Sequence, residues 1–303
     1  MQYPGRIIKA GETDARIVRA VKLALNRALA MQRLADLKLN PDEPSFGPKM
    51  TQAVKTFQAR NADTHGRPLV IDGEVEAITW ATLFGSDTVP SATRSDDPWL
   101  DATLRIAAGE EARRVREVPA NSNRGADVEA YLKRVGLGGG FAWCCAFTYW
   151  CLDEAAKAVG RGNPVVRTAG CLNHWNGAVA AGGRRILSAQ AVANPALVKP
   201  GMVFIMDFGG GAGHTGFVET VDGGLLTTVE GNTDASKTRE GGGVYRLTRK
   251  IADINKGFID YGIAERVRAM RGPVRAAKSA KPAAKSAVKK APKKAAARKA
   301  AKG

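Results

Sequence analysis

The stretch Trp143-Cys144-Cys145-Ala146-Phe147-Thr148-Tyr149-Trp150-Cys151-Leu152 is apolar on nearly every side. A surface helix would place polar residues along one face, so a helix beginning at Cys144 and running to about Val159 belongs in an interior, packed against a sheet. The sheet is available downstream. Residues 202–206, 215–221, 225–230 and 243–247 are short, β-prone and separated by glycine turns. Upstream, helices are expected over 99–115 and 127–135, followed by the glycine-rich turn 136–140. Helices first and strands afterwards define an α+β domain, expected to span residues 99–271.

Outward from this region the chain changes character twice. At the N-terminal side, Ile17, Val21, Leu25, Leu29 and Leu34 recur at helical spacing over 16–34. A second helix should follow Pro48, started by Thr51, with Ala53, Val54, Phe57 and Ala59 on its apolar face. Asp72-Gly73 marks a turn, and the bulky run 78–84 closes a small helical bundle over residues 1–86. Residues 87–98 are small, polar and aperiodic, the composition of a linker. At the other end, residues 272–303 are almost entirely Ala, Lys, Arg, Pro and Ser. They hold too little apolar surface to offset their ordering entropy and are expected to be disordered.

Composition excludes several classes. The net charge of +17 suggests a nucleic-acid binder, but 14 of the 46 Lys and Arg lie at or beyond Arg266, where there is no acidic residue. The first 265 residues carry only +3, so the folded body is nearly balanced. No apolar run approaches the roughly 20 residues of a membrane span. The start, Met1-Gln2-Tyr3-Pro4-Gly5-Arg6, leads to polar residues rather than a signal-peptide core, so synthesis in the cytoplasm without signal-dependent export is expected. Four cysteines, two of them adjacent, match neither a disulfide framework nor paired zinc knuckles.

A working thiol remains. Cys144 stands where a helix should begin, and unpaired N–H groups there favour a thiolate. Gly138 to Gly140 leave room for a substrate to approach. Of the three histidines, His65 reads as a surface loop residue. His214 sits in Gly213-His214-Thr215-Gly216, at the mouth of a strand, where an imidazole can take the thiol proton and return it to a leaving amine. The next strand ends in Val229-Glu230-Gly231-Asn232, and either Glu230 or Asn232 could orient the ring. Cys171-Leu172-Asn173-His174 has a C-x-x-H spacing with no second ligand pair nearby, so packing is the expectation there and beside it at Trp175, and no metal is expected. Cys151 and Cys171 could pair in an oxidising compartment.

Trp143-Cys144-Cys145-Ala146-Phe147, Gly201-Met202-Val203-Phe204, Gly213-His214-Thr215-Gly216-Phe217-Val218 and Glu230-Gly231-Asn232, in this order, resemble the CHAP domain. Asn123-Arg124-Gly125 and Tyr131-Leu132 upstream are similar to bacterial and phage members. These are cysteine- and histidine-dependent amidohydrolases and peptidases of peptidoglycan. The resemblance implies a papain-like fold, helices on an antiparallel sheet, with Cys144 as nucleophile, His214 as base, Glu230 as third member, Asn232 in support and no cofactor. Cys145 is a departure, since members often carry Ala or Gly there.

Phe46-Gly47-Pro48-Lys49, Ala53 to Gln58, Asp72-Gly73-Glu74-Val75 and Thr79-Trp80-Ala81-Thr82-Leu83 together resemble the three-helix peptidoglycan-binding bundle that accompanies many wall hydrolases. Phe57, Trp80 and Leu83 read as its core. The expected protein is thus a monomeric N-acetylmuramoyl-L-alanine amidase or peptidoglycan endopeptidase. It would be an endolysin-type enzyme acting at the wall or periplasm after release. The alternatives are an inactive wall- or polyanion-binding protein, or a secreted interbacterial effector. The tail resembles those of histone-like proteins and should bind anionic envelope polymers or nucleic acid without sequence preference.

Overall fold

The computed structural model describes residues 1–31, 37–238 and 240–262. The end of the helix expected over 16–34 and the basic tail therefore lie outside the described residues.

Three helices open the chain: α1 (Ala15–Met31), α2 (Pro48–Arg60) and α3 (Ala77–Phe84). Val18, Val21, Leu25 and Leu29 of α1 share one core with Met50, Val54 and Phe57 of α2 and Trp80 of α3, while Leu83 packs at its edge. The turn expected at Asp72-Gly73 has a physical anchor. The buried Gln58 side chain donates to Asp72 Oδ1 and the Glu74 carbonyl, and accepts from the Gly73 N–H. Gly73 has φ +81°, a region that costs a side-chain-bearing residue energy. Glu76 then caps α3, its carboxylate accepting from the Ile78 and Thr79 N–H groups.

The α+β domain follows, with α4 (Pro98–Ala112), α5 (Ala126–Arg134), α6 (Cys144–Ala158), α7 (Cys171–Gly177) and α8 (Ser188–Ala193). Six strands make one antiparallel sheet: β1 (Arg184–Leu187), β2 (Val203–Gly209), β3 (Ala212–Asp222), β4 (Leu225–Thr233), β5 (Gly243–Lys250) and β6 (Gly257–Asp260). Their spatial order is β1-β6-β2-β3-β4-β5. The apolar helix α6 does lie against this sheet. Cys144, Ala146, Phe147, Cys151 and Leu152 share a core with Val203, Ile205, Phe217, Val229 and Val244. Alternate residues of the same strands, Phe204, Val218 and Leu226, build a separate core with Ala191 of α8.

Three features differ from the reading of the sequence. First, residues 87–98 are bonded along their length. The Thr88 carbonyl accepts from the Tyr3 N–H, Ala92 bridges to Val221 of β3, and Asp97 caps α4. The first two of these bonds use the backbone, which a small, polar composition does not reveal, and the third uses the Asp97 carboxylate. Second, Gly209, Gly210 and Gly211 all adopt positive φ and close a tight β2–β3 hairpin. His214 therefore lies inside β3, opposite Met206, rather than at its mouth. Third, β1 and β6 were not anticipated, because four residues are too few for alternation to register.

The helical bundle meets the sheet at the β3–β4 turn. Leu225 belongs to the bundle's core, and a Cβ at Gly224 would press on Ile78 and Ala77. Lys250 also donates to the Pro68 carbonyl, and the Tyr3 hydroxyl to that of Ala193. No helix among the described residues is long and apolar enough to cross a membrane.

Candidate active site

Cys144 is the first residue of α6, preceded by Trp143 at the N-cap. No side chain caps this terminus, so N–H groups of the first turn remain for another acceptor. Trp143 is held firmly. Its indole N–H donates to Glu117 Oε1 at 2.8 Å, and Glu117 Oε2 accepts from the Asn123 N–H at 2.9 Å. This ties the strongly bent 114–125 segment to the residue before Cys144, and Asn123 itself has φ +54°.

His214 and Glu230 meet from adjacent strands. The register of β3 and β4 pairs Phe217 with Val229, and His214 Nε2 donates to Glu230 Oε2 at 2.8 Å. Glycine makes this possible: a Cβ at Gly216 would come within 2.7 Å of the Glu230 Cγ. The Glu230 carboxylate is saturated. The Thr228 hydroxyl donates to Oε1 at 2.5 Å, and Arg249 of β5 donates from Nε to Oε1 at 2.6 Å and from Nη2 to Oε2 at 2.7 Å.

Protonation follows from these contacts. Burial alone would raise Glu230, but the Arg249 guanidinium and His214 outweigh it and hold the carboxyl at about 2. Burial also works against a charged His214, yet Cys144 and Glu230 together raise it to about 9. Since Nε2 is taken by Glu230, the buried and otherwise unpartnered Nδ1 is the nitrogen left to face the Cys144 thiol. Cys144 is pulled both ways: contact with Cys171 and burial push the thiol up, and His214 draws it down.

Asn232, two residues on along β4, has φ +57°, and both polar atoms of its side chain are buried without a hydrogen-bond partner among the described residues. It makes no bond to His214 or Glu230, so it does not orient the ring. Gly231 between Glu230 and Asn232 is obligatory on space alone. A Cβ there would lie 2.8 Å from atoms of both Phe147 and Trp143.

The second thiol points elsewhere. Cys145 Sγ lies 3.8 Å from His174 Nδ1, and His174 Nε2 meets the Tyr261 hydroxyl at 2.8 Å. This imidazole is buried with no carboxylate partner among the described residues, and burial depresses it to about 4. A neutral histidine bonded to a tyrosine is a packing element, whereas His214 is backed by an ionised carboxylate. Cys171 Sγ lies 3.6 Å from Cys144 Sγ, and Cys145 is close enough to push the Cys171 thiol up, so its sulfur neighbours are these two and not Cys151. Trp175 is buried beneath Arg185. His65 is exposed on a turn. Among the described residues no group of His, Cys, Asp and Glu is arranged to hold a metal.

Reading the sequence missed Arg249, Glu117 and the placement of Cys171. Arg249 carried a faint signal: it follows Leu247 at an inward-facing strand position, where an arginine needs a buried anion.

Residues 136–232 match the family model of the CHAP domain. No curated protein and no solved structure matches the chain.

Proposed function

Because the chain carries a CHAP domain, a cysteine- and histidine-dependent amidohydrolase or peptidase of peptidoglycan, we propose that Cys144, His214 and Glu230 are its catalytic set. The observation that carries this reading is the His214 ring, bonded through Nε2 to a fully buried carboxylate, with Nδ1 left for the thiol at the start of α6. In this mechanism the Cys144 sulfur, its proton held on His214 Nδ1, attacks a wall amide carbonyl. First-turn N–H groups of α6 receive the oxyanion. The imidazolium then protonates the leaving amine, and water, activated by the neutral ring, resolves the acyl-enzyme. Asn232 brings two unpartnered polar atoms that a substrate amide can use.

The finer assignments belong to the same reading. The enzyme is an N-acetylmuramoyl-L-alanine amidase or a peptidoglycan endopeptidase of endolysin type, acting at the wall after release from the cytoplasm. The bundle of α1 to α3 holds peptidoglycan, and the basic tail holds anionic envelope polymers. The deciding experiment is release of free amino groups from purified sacculi, with mass spectrometry of the fragments. Cys144→Ala should abolish release and Cys145→Ala should retain it. The reverse pattern would transfer the nucleophile to Cys145. Sacculus binding by the full chain and by a chain ending at residue 271 tests the tail, and equal binding would remove its anchoring role.

A further inference from the structure

Cys171 has no part in the mechanism above, yet its sulfur is 3.6 Å from that of Cys144. Both are free thiols and both are buried. Cys171 is wedged between the start of α6 and the strand that carries His214. A Cβ at Gly213 would meet the Cys171 Cβ at 3.0 Å, so the backbone beside His214 is shaped around this side chain. Cys151 is a useful contrast. It lies about 10 Å further along α6, two helical turns from Cys144, and answers to packing alone.

We propose that Cys144 and Cys171 form a reversible oxidation site, in which a hydroperoxide oxidises Cys144 and Cys171 resolves the product to a disulfide. The proposal rests on Cys144 being the reactive thiol of the hydrolase. In the first step the Cys144 thiolate, its proton held on His214 Nδ1, attacks one oxygen of hydrogen peroxide. An S–O bond forms, the O–O bond breaks, and the departing hydroxide takes the proton from His214 to give water. In the second step the Cys171 sulfur attacks the sulfenyl sulfur of Cys144. An S–S bond forms, the S–O bond breaks, and the hydroxide released takes the Cys171 proton. Overall two thiols and one peroxide give one disulfide and two waters.

The geometry favours this pair over the other possible ones. A disulfide needs its sulfurs at about 2.05 Å, so Cys144 and Cys171 must close by roughly 1.5 Å, a displacement within reach of side-chain rotation. Cys145 follows Cys144 in the same helix, where successive side chains diverge by about 100°. Its sulfur, though near enough to Cys171 to push that thiol up, makes its bond to His174, whereas the 3.6 Å sulfur contact of Cys171 is with Cys144. The disulfide would occupy the nucleophile and stop hydrolysis, and it would also shield Cys144 from irreversible over-oxidation to sulfinic and sulfonic acids.

The test uses the full-length protein treated with hydrogen peroxide, followed by peptide mapping without reduction and by wall hydrolysis before and after dithiothreitol. The expected result is a Cys144–Cys171 linked peptide, loss of hydrolysis, and recovery on reduction. Under the same oxidant Cys171→Ala and Cys171→Ser should accumulate sulfinic and sulfonic Cys144 and fail to recover. Either variant suffices if the other does not fold, and mapping of the unaltered protein needs neither. A Cys145–Cys171 link would overturn the proposal, as would recovery of Cys171→Ala equal to that of the unaltered protein. Peptide mapping is independent of turnover. A linked peptide in a protein whose hydrolysis survives Cys144→Ala would sink the catalytic reading and leave the oxidation site standing.

Discussion

Arg249 grips both carboxylate oxygens of Glu230, Nε on Oε1 at 2.6 Å and Nη2 on Oε2 at 2.7 Å, so the carboxylate bonded to His214 is itself fixed from the strand beside it. Three adjacent strands, β3, β4 and β5, thus supply His214, Glu230 and Arg249 as one bonded row. A buried charge whose partner is removed is costly, which makes this row sensitive at its outer end.

Arg249→Met should cost about 3–5 kcal/mol of stability, because it leaves the fully buried Glu230 short of its strongest partner. Arg249→Lys keeps the charge but loses the two-pronged geometry and should cost less. Denaturant unfolding measures both. Equal stability of Arg249→Met and the unaltered protein would show that Glu230 does not depend on this contact.

The pH dependence has a definite sign. Glu230 is held at about 2, below its ordinary 4.5, so its contribution is present above pH 4.5 and lost as pH falls through about 2. His214 is raised from 6.5 to about 9, so its contribution is full below pH 6.5 and lost as pH rises through about 9. Each is on the order of 3 kcal/mol, and the His214–Glu230 bond enters both, beside Arg249 for Glu230 and Cys144 for His214, so the two do not add. In the proposed mechanism the imidazolium must survive to protonate the leaving amine. Hydrolysis should therefore fall as pH rises through about 9, and Glu230→Gln should move that limb to lower pH. A limb unmoved by Glu230→Gln would break the link between the two residues.

Gly231→Ala adds one methyl group where Phe147 and Trp143 already stand within 2.8 Å. Overpacking of this kind costs about 1–3 kcal/mol. The backbone on either side carries Glu230 and Asn232, so hydrolysis should drop well beyond what the loss of folded protein explains. Comparing turnover per folded molecule, with folding followed by circular dichroism, checks this.

His174→Leu leaves the buried Tyr261 hydroxyl without its 2.8 Å partner and should destabilise by about 1–3 kcal/mol. Turnover per folded molecule should be retained, because this ring serves Cys145 and not Cys144. A loss of turnover as complete as that of Cys144→Ala would instead make the Cys145–His174 pair catalytic.

What could be read in advance divides by range along the chain. The interior helix at Cys144 and the strands beside His214 and through Glu230 were legible because their patterns are local: an all-apolar run, and β-prone stretches separated by glycine turns. Arg249 and Cys171 were not, since nothing near either one in sequence says that a carboxylate or a second sulfur waits beside it. The bonds of residues 87–98 were hidden for a different reason. Backbone pairing to Val221 leaves no mark on side-chain composition.

That bonded segment also sets a distance. The bundle of α1 to α3 sits at the β3–β4 turn, while His214 lies near the opposite end of β3, separated from Asp222 by about 25 Å of extended chain. On a loose tether, a wall-gripping module would let the thiol sweep every bond within a radius. Strapped to the sheet, the bundle would work like a gauge block if it grips the wall as proposed, presenting the thiol at one offset from the grip. Bonds at that offset would then meet the thiol at high effective concentration, and bonds elsewhere almost none. The spacing between anchorage and cut would be a property of the fold itself.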